Sequence, residues 1–461
     1  MTGFRKEHDS LGEVEVPAGA LWGAQTQRAV DNFPVSGPMP AAFIAALAQV
    51  KWCAAQANAE LGLLDEARRD AIQHAAEAII AGEHPDAFPV DVFQTGSGTS
   101  SNMNVNEVIS HLCQRQAAAP AVHPNDHVNL GQSSNDSVPT ALHLSAVLQV
   151  TGALLPAMQH LDQVLAQRAK ECEHIVKTGR THLMDAMPVT LGQELTGWRA
   201  QLAFVRDQLR QARDGLLAIP QGGTAVGTGV NAHPQFAALF ARHLSQRAGH
   251  NFAPMDTAFA GQGAIDRPLA LSAALRGYAV ALMKISNDLR WMNSGPIHGL
   301  AEIYLPAVQP GSSIMPAKVN PVICESACMV SAQVMGLDQA NTLAAQSGNF
   351  QLNVMLPLMA ANLLTMISTL ANVTTLLADR AIAGFTVNHQ GLAEAVNRNP
   401  ILVTALNPVI GYEKAAAIAK EAFASGRAVI DVAQEKTDLS REQLEACLDP
   451  ARLTRGGFPG E

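Results

Sequence analysis

The apolar positions of this chain fall into two regimes. From about residue 140 to 390 they recur three and four apart. One stretch carries Leu154, Leu155, Met158, Leu161, Val164 and Leu165; a second carries Leu275, Leu282, Ile285, Leu289 and Met292; a third carries Leu363, Ile367, Leu370, Val373 and Leu377. That spacing gathers each set on one helical face and predicts a bundle of extended amphipathic helices. Leu352 to Ala378 has few charges even on its outer face, so it is expected to be buried against other subunits. Before about residue 132 the pattern breaks into short segments separated by turn-rich stretches at Pro34–Pro38, Thr95–Ser101 and His123–Ser134. After about residue 390 shorter helices resume, with Pro400, Pro408 and Pro450 as breakers. The expected fold class is mainly α. The expected division is an N-terminal mixed domain at 1–132, a central helical-bundle domain at 133–389 and a small C-terminal helical domain at 390–461.

Composition narrows the function classes. The chain has 461 residues, 48% hydrophobic and 15% charged, ample for a large core. A formal net charge of −9 gives no reason to expect nucleic acid or an anionic membrane as partner. Six scattered cysteines form no CxxC pair, which fits reduced thiols in a cytoplasmic protein. Cys324 and Cys328 stand four apart, so a metal pair is conceivable beside the reading of two buried apolar thiols; no other ligands cluster nearby. Met1 to Ser10 is polar and mixed in charge, unlike a secretory or transit segment, and no 18-residue uncharged apolar run is expected to span a membrane. Gly222 to Gly229 looks like a phosphate loop but lacks the Gly-Lys-Ser/Thr ending, and no strand precedes it.

The chemistry concentrates in four places. Gly311-Ser312-Ser313-Ile314-Met315-Pro316-Ala317-Lys318-Val319-Asn320-Pro321 places two hydroxyls on a glycine-led turn, then an ammonium and an amide beside a helix start. Lys318, Asn320 and a positive helix end suit a carboxylate or phosphate, although Ser-Ser is also ordinary turn chemistry. Gly179 to Ala186 sets His182 beside Thr181 and Asp185; a lone histidine is more often structural than catalytic. Gln94 to Asn104 and Gln132 to Asp136 are rich in small donors. They read either as loops capping the helices that follow or as neutral partners for a carboxylate.

These segments resemble the signature blocks of the fumarase/aspartase superfamily: GSSxMPxKxNP at 311–321, GRTHLxDA at 179–186, TGSGTxxNMN at 95–104 and QSSND at 132–136. The resemblance runs nearly end to end, from Leu21–Arg28 through Ser347–Asn353 to Leu402–Asn407 and Ile410–Tyr412. Within the superfamily, His182 replaces the glutamine typical of aspartases and favours the class II fumarate hydratase branch. The resemblance implies a three-domain, mostly helical subunit with a central long-helix bundle, assembled as a homotetramer with active sites shared between subunits. It implies reversible hydration of fumarate to (S)-malate in the tricarboxylic acid cycle, with a small dicarboxylate as partner and no metal or cofactor. By the same resemblance Ser312 is the base, and His182 with Glu325 the acid–base pair for water. Ser97, Gly98, Thr99, Ser133, Ser134, Asn135, Thr181, Ser313, Lys318 and Asn320 bind substrate. Glu325 alone is equally explained by the helix dipole at its first turn. His123, Asn125 and Asp126 match a second dicarboxylate site, expected to bind weakly because Pro120 stands where a basic residue is common. Ala317 replaces a frequent glycine, and its methyl is expected to stiffen the loop slightly. The rival readings are an aspartate ammonia-lyase or succinyl-adduct lyase of the same superfamily and, from another class, a non-catalytic helical oligomer.

Overall fold

The computed structural model describes residues 3–116 and 120–458; Met1 and Thr2, which open the polar N-terminal stretch, lie outside the described residues, as do 117–119 and 459–461. A β-hairpin, β1 (Phe4–Asp9) and β2 (Gly12–Pro17), leads into α1 (Ala24–Asn32), α2 (Ala41–Glu60), α3 (Glu66–Ile80) and α4 (Thr99–Gln114). Next come α5 (Ser134–Gln149), α6 (Leu155–Glu171) and a second hairpin, β3 (Val176–Thr181) and β4 (Met184–Thr190). The chain continues through α7 (Leu191–Gly215), β5 (Ala218–Ile219), α8 (Phe236–Ala248), β6 (Ala253–Pro254), α9 (Ala258–Gly263) and α10 (Asp266–Met292). After β7 (Ile303–Tyr304) come α11 (Val322–Gln346), α12 (Leu356–Leu377), β8 (Thr386–Val387) and α13 (His389–Arg398). Five shorter helices close the described chain: α14 (Asn407–Ile410), α15 (Tyr412–Ser425), α16 (Val429–Lys436), α17 (Arg441–Leu448) and α18 (Pro450–Leu453). Each sheet among the described residues has two strands, so the molecule is mainly α as expected.

The residues form two compact units. Unit 1 comprises Met1–Pro156, Val205–Ala279 and Val330–Ala371. Its centre is α2, whose Phe43, Leu47, Val50, Cys53, Ala54 and Ala57 are buried against α3, α5 and α8. Small alanines on α2 allow the neighbouring helices to approach closely. Further along the chain a buried polar chain fixes α10, α11 and α12. Ser272 Oγ donates to Asp338 Oδ1 (2.7 Å), Asn341 Nδ2 to Ser272 Oγ (2.9 Å), and Asn362 Nδ2 to Asn341 Oδ1 (2.9 Å). Such a satisfied network specifies helix register, because any slip leaves buried amides unpaired.

Unit 2 comprises Ala157–Phe204, Val280–Met329 and Asn372–Glu461. Leu402, Leu406, Ile418, Val432 and Leu444 form an apolar cluster at its C-terminal end. Asn399 Nδ2 donates to the Ala186 carbonyl at 2.8 Å and ties this end to β4. The apolar faces predicted on α10 and α12 are buried, including Leu275, Leu282, Ile285, Leu289 and Met292, whereas Leu155 and Val164 of α6 are half-buried.

One expectation is corrected. Three helical stretches, Ser134–Glu171, Asp266–Met292 and Leu356–Ile382, are long and apolar enough to cross a membrane by length and composition. Asn362, Thr365, Ser368, Thr369 and Asn372 punctuate the last run, yet its average hydropathy stays high enough for a span. Between 50% and 72% of each apolar window is already buried within one chain, so these helices have partners inside the protein.

Candidate functional site

In unit 1 the small-donor segments converge. Gly98 is the residue before α4 and adopts φ +74°, where a side chain is strained. A Cβ there would also lie 2.7 Å from Val138 Cγ1, so glycine is required on both counts. The turn it makes lines up a relay of hydroxyls: Ser97 Oγ to Thr99 Oγ1 at 2.8 Å and Thr99 Oγ1 to Ser134 Oγ at 2.7 Å. Ser133 caps α5 in a reciprocal box with Asp136; Ser133 Oγ accepts the Asn135 N–H (3.2 Å) and Asp136 Oδ1 accepts the Ser133 N–H (2.9 Å). Thr99, Ser133 and Ser134 line one cleft of about 440 Å³ together with Asn102, Asn125 and Thr224. Asn135 is not among the lining residues; its Nδ2 donates to the carbonyl of Ala225, which is, at 2.8 Å.

Two buried charges stand behind this neutral surface. Asp136 Oδ2 accepts the N–H groups of Gly222 (3.0 Å) and Thr224 (2.9 Å), and burial pushes its carboxyl pKa upward. The glycine-rich loop therefore already presents its amides to an anion, and that anion is the protein's own. Lys51 of α2 is fully buried, and its Nζ donates to Asn102 Oδ1 (2.7 Å), Asn129 Oδ1 (3.0 Å) and Gln132 Oε1 (3.0 Å). Nothing in the local sequence of α2 marks Lys51, since its partners arrive from 51 to 81 residues downstream.

Asn125 and Asp126 lie in a single π-helical turn, Pro124–Val128, which His123 caps. His123 Nδ1 accepts the Asp126 N–H and lies 3.2 Å from Asp126 Oδ2. Within this trio Asn125 lines the unit 1 cleft.

In unit 2 the signature loop is closed on itself. Gly311 N donates to the Lys318 carbonyl (3.0 Å) and Asn320 Nδ2 to the Gly311 carbonyl (2.5 Å). A Cβ on Gly311 would meet the Lys318 oxygen at 2.1 Å, so only glycine fits this closure. Ser312 Oγ accepts two backbone N–H groups, from Ile314 (3.2 Å) and Met315 (3.0 Å), which is the arrangement that stabilises negative charge on that oxygen. Ser313 and Lys318 are exposed. Ala317 has φ +68°, so its methyl does more than stiffen the loop: it holds an L-residue in the left-handed region, at a cost of roughly 1 kcal/mol. Lys318, Asn320 and Glu325 line a cleft of about 700 Å³ that also takes in Asn287, Arg290 and Asn293. Arg290 and the two asparagines escaped the sequence reading because they lie on the preceding helix and its end, outside any signature block.

Thr181 and His182 sit at the tip of the β3–β4 hairpin. Thr181 pairs with Met184, leaving His182 (φ +56°) and Leu183 (φ +61°) as a two-residue turn. Positive φ at both positions is the type I′ pattern, normally given to asparagine and glycine, so the tip is strained where a candidate catalytic residue is displayed. The root of the hairpin is fixed by buried charge. Glu302 accepts from Lys177 Nζ (2.5 Å) and Arg180 Nη1 (2.6 Å), and Lys177 also reaches Glu194 at 2.7 Å. His182 is exposed, and among the described residues no hydrogen bond or ion pair joins it to Glu325 within one chain. All six cysteines are free thiols, and burial pushes Cys324 up to about 12.

Comparison with known proteins covers the whole chain. A family profile described as Lyase matches residues 12–336, and one described as Fumarase C C-terminus matches 402–455. The chain is 57% identical over 459 residues to a Pseudomonas aeruginosa protein named fumarate hydratase class II 2, covering 99% of this chain and 100% of that one. It is 55% identical over 456 residues to fumarate hydratase class II of Xylella fastidiosa, covering 99% and 96%. The crystal structure of recombinant class II fumarase from Schistosoma mansoni superposes with a TM-score of 0.96 at 38% identity, each chain covered completely.

Proposed function

Because the chain belongs to the lyase family that holds the class II fumarate hydratases, we propose that it interconverts fumarate and (S)-malate by acid–base catalysis without a metal. The single observation that carries the mechanism is the Ser312 oxygen receiving two backbone N–H groups. A serine can act as base only if its alkoxide is stabilised, and these donors are placed to do so without reorganisation. In the malate-to-fumarate direction Ser312 takes the proton next to one carboxylate, whose developing aci-carboxylate charge is met by Lys318 and Asn320. The hydroxyl then leaves as water with a proton from His182, oriented by Glu325. Ser97, Gly98, Thr99, Ser133, Ser134, Asn135, Thr181 and Ser313 hold the substrate through neutral donors.

The assembly we propose is a homotetramer with active sites shared between subunits. Two observations support it. His182 and Glu325 are not joined within one chain, and α11 and its exit leave Met329, Leu343 and Phe350 exposed at 68%, 58% and 94%. The three-part division at residues 132 and 389, a cytoplasmic location and a place in the tricarboxylic acid cycle belong to the same reading. His123, Asn125 and Asp126 form at most a weak second dicarboxylate site, since the Asp126 carboxylate beside His123 opposes an incoming anion.

Purified protein offered fumarate, malate and aspartate tests the assignment. Interconversion of the first two with aspartate untouched is expected; release of ammonia from aspartate would move the protein to the ammonia-lyases. Light scattering should give about four times 48.6 kDa.

A further inference from the structure

Lys51 has no role in the mechanism above, yet it is a fully buried ionisable side chain in unit 1. Its relative exposure is 0%, and among the described residues no carboxylate contacts it directly; three neutral amide oxygens do. An ammonium has three N–H donors and a neutral amine only two, so three acceptors at 2.7, 3.0 and 3.0 Å match the charged form. Asn102, Asn129 and Gln132 each use their other face elsewhere: Asn102 Nδ2 donates to Asn129 Oδ1 (3.2 Å), Asn129 Nδ2 to the Gln132 carbonyl (3.1 Å) and Gln132 Nε2 to the Val128 carbonyl (3.0 Å). All three amides line the unit 1 cleft, so the ammonium stands immediately behind its wall.

We propose that Lys51 is a positioning residue for the dicarboxylate reaction, clamping Asn102, Asn129 and Gln132 behind the cleft and giving that wall the positive charge its own neutral donors lack. This rests on the reading of the unit 1 cleft as a dicarboxylate-binding surface. A hydroxyl and amide surface attracts an anion weakly, and a buried cation whose field is little screened supplies the missing attraction. The buried Asp136 supplies a field that favours the ammonium without contacting it, and a bound dianion would add to that field.

The charge is poised to respond to pH. Burial lowers the Lys51 pKa to about 7, and the field of Asp136 on α5 opposes that shift. Charged groups on the other elements around α2 are engaged elsewhere. Glu107 of α4 accepts from Gly23, Gln25 and Thr26, Arg247 of α8 pairs with Glu77 of α3, and His127 of the π-helical turn accepts the His123 N–H. Bound dianion favours the ammonium, so by linkage its affinity is full below about pH 7 and falls as pH rises through that value.

The experiment is succinate binding by calorimetry, a dicarboxylate that cannot react, measured from pH 6 to pH 9 with turnover of fumarate alongside. For Lys51→Met, affinity is expected to be weaker by on the order of tenfold at pH 6, with the gap to wild type closing toward pH 9. Lys51→Arg, charged throughout, is expected to hold its affinity above pH 7 where wild type loses it. A merely structural lysine would lower melting temperature and leave the shape of the wild-type and variant pH profiles the same, which overturns the proposal. Wild-type affinity unchanged between pH 6 and pH 9 overturns it whether or not the variants fold. An enzyme that hydrates fumarate but shows either result loses this inference alone; one that neither hydrates fumarate nor binds succinate loses the functional reading beneath it.

Discussion

The two units hold candidate groups of opposite character. In unit 1 the hydroxyls of Ser97, Thr99 and Ser134 form a hydrogen-bonded relay between two helix starts, with Asp136 and Lys51 buried behind it. Each charge there is satisfied by neutral partners, and the visible surface carries none. In unit 2 Lys318 and His182 are exposed, and the segments that carry them hold residues at positive φ: His182, Leu183 and Ala317. The first region is hydrogen-bonded from behind and built to receive; the second is displayed, and left-handed residues occur in both, since Thr224 (φ +52°) and Asn231 (φ +62°) line the unit 1 cleft. A preorganised cradle and a reactive, adjustable pair of loops are separate physical requirements, and one chain meets them with separate local solutions.

Substitutions should separate the two. The largest effect is expected in unit 2: Ser312→Ala and His182→Asn should each lower turnover at least about a hundredfold, while affinity for a dicarboxylate changes far less. Steady-state kinetics with direct succinate binding checks this, and near-normal turnover in Ser312→Ala would transfer the base role to His182 or water. Lys318→Ala should impair turnover and affinity together, because its charge serves ground and transition states alike. In unit 1, Thr99→Val breaks the hydroxyl relay and should raise KM by roughly tenfold with a smaller change in kcat, in line with the loss of a hydrogen bond to a charged group. If instead it cut kcat alone, the contrast between receiving and reacting regions would collapse. The smallest effect is expected at Ala317→Gly, which relieves a left-handed residue; it should raise the unfolding midpoint by a few degrees at most, about 1 kcal/mol or less, as read by thermal melts.

Much of this was legible in the sequence, for reasons that differ between residues. The 3-4 spacing on α10 and α12 announced faces that are buried, since helical geometry is local. Gly311 announced a turn, although its closure on Lys318 and Asn320 and the two N–H groups on Ser312 Oγ appear only once the turn is built. The β3–β4 hairpin was not legible. His182 and Leu183 carry no turn signature, and the tertiary pinning of Glu302 by Lys177 and Arg180 overrides local preference. Lys51 was invisible for the same reason: its environment is assembled from α4 and from the loop before α5, not from its neighbours in α2. The few charges of α12 were legible; that its average hydropathy and length also match those of a membrane span was missed.

The central claim is that protein groups alone carry out the hydration. Exhaustively chelated, purified enzyme should consume fumarate at the rate of untreated enzyme, followed by loss of its ultraviolet absorbance, with (S)-malate as the product. Activity that disappears on chelation and returns with an added metal would contradict the account.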